Sequence, residues 1–425
     1  MEKDKNINND FPLAEILVRL PIRSIAKSKS VCKRWKLLIE SPVFRSLFVS
    51  LHKSSSCSWS LLTNDCFLWY RIRSPVECIA SYGCKRWGLP RPLSSYIWSP
   101  PVLDSKFEIE SLQIRASASG LLLIQVLDNM YYVGNPVLSK WVKIRPCTTL
   151  SLENYYYANM RGLVTREENG VVLGYKVVQG YTSVQGRSLP SFQEGATRLS
   201  FQVYSSETGK WTCEHVECGC PLTWSTSGID YPISLNGRLY WVDPGLIDGV
   251  YPGGMVVLDF YNGGAKQFHY ISLPGRKMSI LETYHWSTRR ACSTSGGFIV
   301  YIDAIPINQD HRLKIWKLND LLIWERSWEI NLENVEFGID SLPLAMHPFD
   351  THILYLKSRE KKCLMSIDLR TQNSTLHEDS EYQSYDERCV KENTFDDLFL
   401  FQQYVPSPWM DDVPRPPPCD HCGRP

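Results

Sequence analysis

Residues 13–48 read LAEILVRLPIRSIAKSKSVCKRWKLLIESPVFRSLF, and the periodicity of this stretch decides how the chain begins. Leu13, Ile16, Leu17 and Leu20 stand at i, i+3, i+4 and i+7, which places them on one face of a short helix. Pro21 ends that helix, since it pushes Leu20 towards extended backbone and has no N–H for a continuing turn. A second helix is expected from Ser28 or Ser30, either of which can cap it, with Val31, Trp35, Leu38 and Ile39 at i, i+4, i+7 and i+8. Lys29, Lys33 and Lys36 fall on its solvated side, and Ser41-Pro42 marks its end before a third helix. Three short helices in about fifty residues leave much of their apolar surface in water, so the missing cover is expected from a partner.

The ordered elements Arg19-Leu20-Pro21, Ser30-Val31-Cys32-Lys33-Arg34-Trp35, Leu38-Ile39, Ser41-Pro42 and Phe44 resemble the F-box of the large plant group of F-box proteins. In that family the helical unit docks on the Skp adaptor of a cullin-based ubiquitin ligase. The resemblance implies adaptor-docking positions at Leu13, Ile16, Leu17, Leu20, Pro21, Val31, Cys32 and Trp35. The family usually opens with Leu-Pro seven and six residues before the glutamate that stands here as Glu15. This chain has Asn8 and Asn9 there, which removes a hydrophobic anchor from the start of the docking surface.

Composition sets the outer limits. In 425 residues, 43% hydrophobic and 21% charged, the formal net charge is +1, so the whole molecule carries no electrostatic footprint for nucleic acid. The charge is uneven: residues 1–53 hold eleven Lys or Arg against five Asp or Glu, and residues 378–397 hold eight acids against two bases. The opening MEKDKNINND has no apolar core of a signal peptide, and no run of about 18 apolar residues follows anywhere. Fourteen cysteines are therefore expected as buried or free thiols in a nuclear or cytoplasmic protein.

After Leu51 helical periodicity stops, and short apolar runs alternate with turn residues, as in an all-β domain. One pattern recurs, a single strand and then a hairpin. GLLLIQ (120–125) precedes residues 131–144, GVVLGYKVV (170–178) precedes 201–216, NGRLYWVD (236–243) precedes 255–271, GGFIVYID (296–303) precedes 313–330, and THILYLK (351–357) precedes 363–376. The hairpins begin near 131, 201, 255, 313 and 363, in steps of 70, 54, 58 and 50 residues. Four short strands with their turns need about 40–50 residues, the length of one propeller blade. Trp141, Trp211, Trp241, Trp316 and Trp328 are expected as packing between blades.

Ser119-Gly120-Leu121-Leu122, Asn135-Pro136 with Trp141, Asn236-Gly237-Leu239-Tyr240-Trp241, and His347-Pro348-Phe349 with Tyr355 resemble the F-box-associated domain of the same plant proteins, which is similar to a kelch-like β-propeller. The expected fold is α+β and multidomain. Residues 1–10 form a disordered N-terminus, 11–50 a three-helix F-box, 57–406 an all-β propeller with room for six or seven blades, and 407–425 a Pro-rich disordered tail. Leu398–Tyr404 is the strand expected to close the ring against the first.

Chemistry is sparse. Nine scattered histidines accompany no HExxH, GxSxG or Walker loop, so no catalytic residue, cofactor or metal site is assigned. A propeller copper oxidase would need His and Tyr ligands converging on one site. Cys419-Asp420-His421-Cys422, and more loosely Cys218-Gly219-Cys220, have metal-ligand spacing without the second knuckle a structural zinc needs. The combined expectation is the substrate receptor of an SCF-type ubiquitin ligase, binding the Skp adaptor and through it cullin at one end and a target protein at the other. The competing class is a ligase-independent propeller scaffold with a degenerate F-box.

Overall fold

The computed structural model describes residues 7–52, 59–64, 77–82, 87–89, 96–97, 112–126, 130–146, 155–156, 161–183, 196–222, 232–245, 252–261, 268–274, 289–304, 311–336, 338–339, 341–358, 360–361, 363–377 and 400–418. Four helices open the chain where three are expected: α1 (Ile7–Leu17), α2 (Ile22–Ser28), α3 (Lys33–Ile39) and α4 (Pro42–His52). Helix α1 begins at Ile7, so residues 7–10, expected as part of a disordered N-terminus, are helical, and residues 1–6 lie outside the described residues. Pro21 separates α1 from α2 as its chemistry requires, standing in extended backbone at the start of α2. The serines do not cap the next helix: Ser28 Oγ donates back to Ser24 O and Ser30 Oγ to Lys27 O. The interruption is Cys32, whose extended backbone starts α3 with no side-chain cap. Ser41 is the working cap. Its Oγ accepts from Phe44 N at 3.2 Å and donates to Leu38 O at 2.7 Å, closing α3 and opening α4 at Pro42.

Among the described residues, every strand after the helices pairs antiparallel with its neighbours. Strands β1 (Trp59–Asn64) and β2 (Glu77–Tyr82) come first. The first blade is β3 (Leu112–Ala118), β4 (Leu121–Val126), β5 (Met130–Asn135) and β6 (Lys140–Ile144), in that order across the sheet. The second is β7 (Tyr155–Tyr156), β8 (Arg161–Glu168), β9 (Val171–Ser183), β10 (Ala196–Ser205) and β11 (Lys210–Leu222), with β7 and β8 both paired to β9. The third is β12 (Ile233–Leu235), β13 (Arg238–Gly245), β14 (Pro252–Asp259) and β15 (Phe268–Ser272). The fourth is β16 (Arg290–Ser295), β17 (Phe298–Asp303), β18 (Arg312–Leu318) and β19 (Trp324–Asn331). The fifth is β20 (Ser341–Met346), β21 (Ile353–Ser358), β22 (Cys363–Asp368) and β23 (Ser374–His377). The last strand, β24 (Leu400–Tyr404), returns to pair with β1, giving the sheet β2-β1-β24.

Among the described residues the propeller therefore has five blades of four or more strands, not six or seven, and a three-stranded sheet made from both ends of the domain closes the ring. Each of the five sequence repeats is the last three strands of one blade. The larger number came from dividing residues 57–406 by a blade length. Among the described residues, the chain before the first repeat and after the last contributes only β1, β2, β3 and β24. Around the axis β24, β3, β8, β12, β16 and β20 follow one another.

The packing between blades is apolar, because each sheet must cover both faces. Val300, Ile302, Leu354 and Met365 bury the fourth blade against the fifth, and Val164, Phe201, Trp241 and Val256 bury the second against the third. Trp141 and Trp241 are buried in such layers, while Trp211, Trp316 and Trp328 are half-buried. The acidic stretch 378–397 lies outside the described residues.

Candidate functional site

The helical unit does not have a core of its own. Leu17, Val18, Ile22, Ile25, Ile39, Phe44 and Phe48 are buried together with Trp87 and Trp409, which come from the remainder of the chain. Val137 and Leu138, in the turn between β5 and β6, and Leu89 pack against the same cluster. Arg23 N donates to Trp87 O at 3.3 Å, and Arg23 Nη1 to Tyr96 OH at 3.2 Å. Much of the cover that so small a unit needs is thus intramolecular.

The expected docking residues divide into two sets. Leu17 is 1% exposed and points into this shared core. Leu13, Leu20 and Trp35 are half-buried and lean on it, and Pro21 is half-buried. Ile16 at 64% exposed, Val31 at 62% and Cys32 face solvent. The i, i+4 spacing read as one apolar face is therefore split, with Ile16 on the outside and Leu17 inside. Leu37, at 72% exposed, and Val43 and Leu51 are further solvent-facing apolar residues that the sequence reading did not assign. The signal was available for Leu37 and Val43, which stand out of phase with the buried Ile39, Phe44 and Phe48; Leu51 shares the face of Phe44 and Phe48 and is exposed in the last turn of α4.

At the propeller axis a cavity of about 120 Å³ is lined by residues that include Ser117, Ser119, Ser234, Ser293, Thr294 and Gln403. Several of these polar groups bond to neighbouring strands. Ser117 Oγ donates to Gln403 O, Ser293 Oγ accepts from Met346 N, and Gln403 Oε1 accepts from Thr294 N at 2.8 Å and Thr294 Oγ1 at 2.9 Å. Among the described residues no group of three or more His, Cys, Asp or Glu could hold a metal ion. No helix among them is long and apolar enough to cross a membrane. The Cys419–Cys422 motif lies outside the described residues.

A helical unit of this sequence followed by a five-bladed propeller defines an F-box protein with a C-terminal β-propeller. Comparison with known proteins agrees. The F-box domain family matches residues 9–47, and the family described as F-box protein At3g26010-like, beta-propeller, matches residues 57–415. F-box protein At1g49990 of Arabidopsis thaliana is 38% identical over 96% of this chain and 98% of its own length. The putative F-box/kelch-repeat protein At4g22430 of the same plant is 37% identical over 98% and 95%, and F-box protein At3g26010 is 36% identical over 95% and 89%. The chain belongs to the family of F-box proteins with an At3g26010-like β-propeller.

Proposed function

We propose that this protein is the substrate-recognition subunit of an SCF-type ubiquitin ligase. Its helical unit binds a Skp-type adaptor and through it cullin, and its propeller binds the protein to be ubiquitinated, in the nucleus or cytoplasm. The observation that carries this reading is the exposure of Ile16 and Val31 on a unit whose opposite side is already covered by Trp87 and Trp409. Apolar side chains left in water beside a completed core are the signature of a surface awaiting a partner. Ile16, Val31 and Cys32 contact the adaptor directly. Leu13, Leu20, Pro21 and Trp35 border that surface, and Leu17 supports it from within.

The chain contributes no catalytic residue to ubiquitin transfer. It contributes proximity, holding target lysines near a thioester carried elsewhere in the complex and so raising their effective concentration.

Binding of purified Skp adaptor to the wild-type chain and to Ile16→Asp and Val31→Asp tests the reading. Both substitutions place a charge on solvent-exposed positions, so the fold should survive while adaptor affinity falls at least tenfold. Leu17→Asp is not equivalent, because it buries a charge in the core and unfolds the unit. Absence of adaptor binding by the folded wild-type chain would overturn the ligase reading. It would favour the ligase-independent scaffold, for which Asn8 and Asn9 are the sequence argument.

A further inference from the structure

The C-terminal segment was read from its prolines as a disordered tail from residue 407, yet residues 405–418 pack against the F-box and the first two blades. The contacts run in order along it. Ser407 passes over the turn between β3 and β4 so closely that a Cβ on Gly120 would meet Ser407 N at 2.2 Å. Only a glycine, here with φ +78°, fits beneath it. Trp409 then inserts between the F-box and the propeller, its ring 6.0 Å from that of Phe44 and 5.1 Å from that of Phe48. Asp411 receives Arg45 of α4 in a two-point ion pair, Nη2 to Oδ2 at 2.7 Å and Nε to Oδ1 at 3.3 Å. Asp412 pairs with Lys140 at the start of β6, Val413 is buried among first- and second-blade residues, and Pro416 lies over Gly209 in the β10–β11 turn.

Arg45 is shared three ways. Besides Asp411, Nη1 donates to Asn169 O at 3.0 Å and Nη2 to Gly170 O at 2.9 Å, in the turn joining β8 and β9. Asn169 and Gly170 both have positive φ, 52° and 71°, the backbone of a two-residue hairpin turn whose carbonyls here accept from the guanidinium. One planar fork therefore joins the F-box, the second blade and the C-terminal segment, a geometry arginine supplies and lysine does not.

We propose that residues 405–418 are a strap that locks the F-box onto the rim of the first two blades, with Arg45, Trp409 and Asp411 as its positioning residues. Resting on the ligase reading above, this means the distance and angle from adaptor to bound target are fixed by the fold. A receptor held this way selects which target lysines come within reach, whereas a tethered one samples many.

Native-state hydrogen exchange on the full chain tests the strap without using the adaptor, so failure of the ligase reading would not decide it. In Trp409→Ala, amides of α2 and α4 are expected to exchange at least tenfold faster while β17 and β18 of the fourth blade keep their wild-type rates. Trp409→Phe should restore most of the protection. Unchanged exchange in α2 and α4 would overturn the proposal. Acceleration throughout every blade would mean that Trp409→Ala has lost the fold. Asp411→Ala then decides, since it spares the aromatic contact: local acceleration in α4 supports the strap, and no change refutes it.

Discussion

His347 shows how a single side chain ties sequence motif to turn geometry. In His347-Pro348-Phe349-Asp350 its Nδ1 accepts from Phe349 N at 3.1 Å and Asp350 N at 2.8 Å, so the turn between β20 and β21 is built on a neutral imidazole. Burial lowers its pKa from the ordinary value, with nearby Asp350 opposing part of that shift. Because the folded pKa lies below the unfolded one, His347 stabilises the fold fully above the unfolded pKa, about 6.5. That contribution is lost as pH falls through the folded value. His347→Asn keeps a side-chain acceptor for turn amides but does not titrate. Denaturant midpoints measured between pH 7.5 and 5 should therefore fall more steeply for wild type than for His347→Asn. Parallel curves would remove His347 from the account. The histidine, proline and phenylalanine were legible as a motif; what the histidine does was not, since acceptance by Nδ1 depends on a backbone turn that composition does not describe.

At the scale of elements, the end of α1 was legible through Pro21 and the boundary of α4 through Ser41-Pro42, while α2, directly after Pro21, was not expected. The start of α3 was not. The apolar period running from Val31 to Trp35 suggested one continuous helix from Ser28 or Ser30. Cys32 instead adopts extended backbone, and Val31 is left 62% exposed outside the helix. Periodicity reports which residues would share a face if the helix formed, and it is blind to a break between them. The same blindness put Ile16 and Leu17 on one side. Ser41 is where local chemistry and structure agree most directly, as it serves the end of α3 and the start of α4 at once. Ser41→Ala should lower stability by about 1 kcal/mol, the usual cost of an N-cap, and Ser41→Thr should recover most of it. The midpoint of denaturant unfolding should move with little change in slope. An unshifted midpoint would show that Pro42 alone fixes the entry to α4.

Across the whole molecule, the five repeats were each legible because every blade repeats strand, turn and hairpin. The means of closing the ring was legible only in part, because it joins residues more than three hundred positions apart. Strand β24 pairs with β1 from Ser60↔Tyr404 to Asn64↔Leu400. From that position Gln403 reaches Thr294 in β16 and Met346 O in β20, while Ser117 of β3 donates to Gln403 O. Tyr404 is fully buried and its hydroxyl donates to Gly120 O at 3.1 Å. A chain ending at residue 399 loses all of this: β1 gains an open edge, Thr294 N loses its acceptor, and the site of Tyr404 is emptied. Loss of one buried aromatic alone costs about 3–5 kcal/mol, against about 5–15 kcal/mol for a whole domain. An unpaired edge beside exposed apolar surface also invites aggregation. Truncation after residue 399 should therefore abolish cooperative thermal unfolding and yield aggregated protein. Truncation after residue 418, which keeps β24 and the strap, should melt as the full chain does. A cooperative transition in the shorter protein would mean that the five blades stand without their closing strand, and that the contacts of Gln403 and Tyr404 follow from the ring and do not hold it.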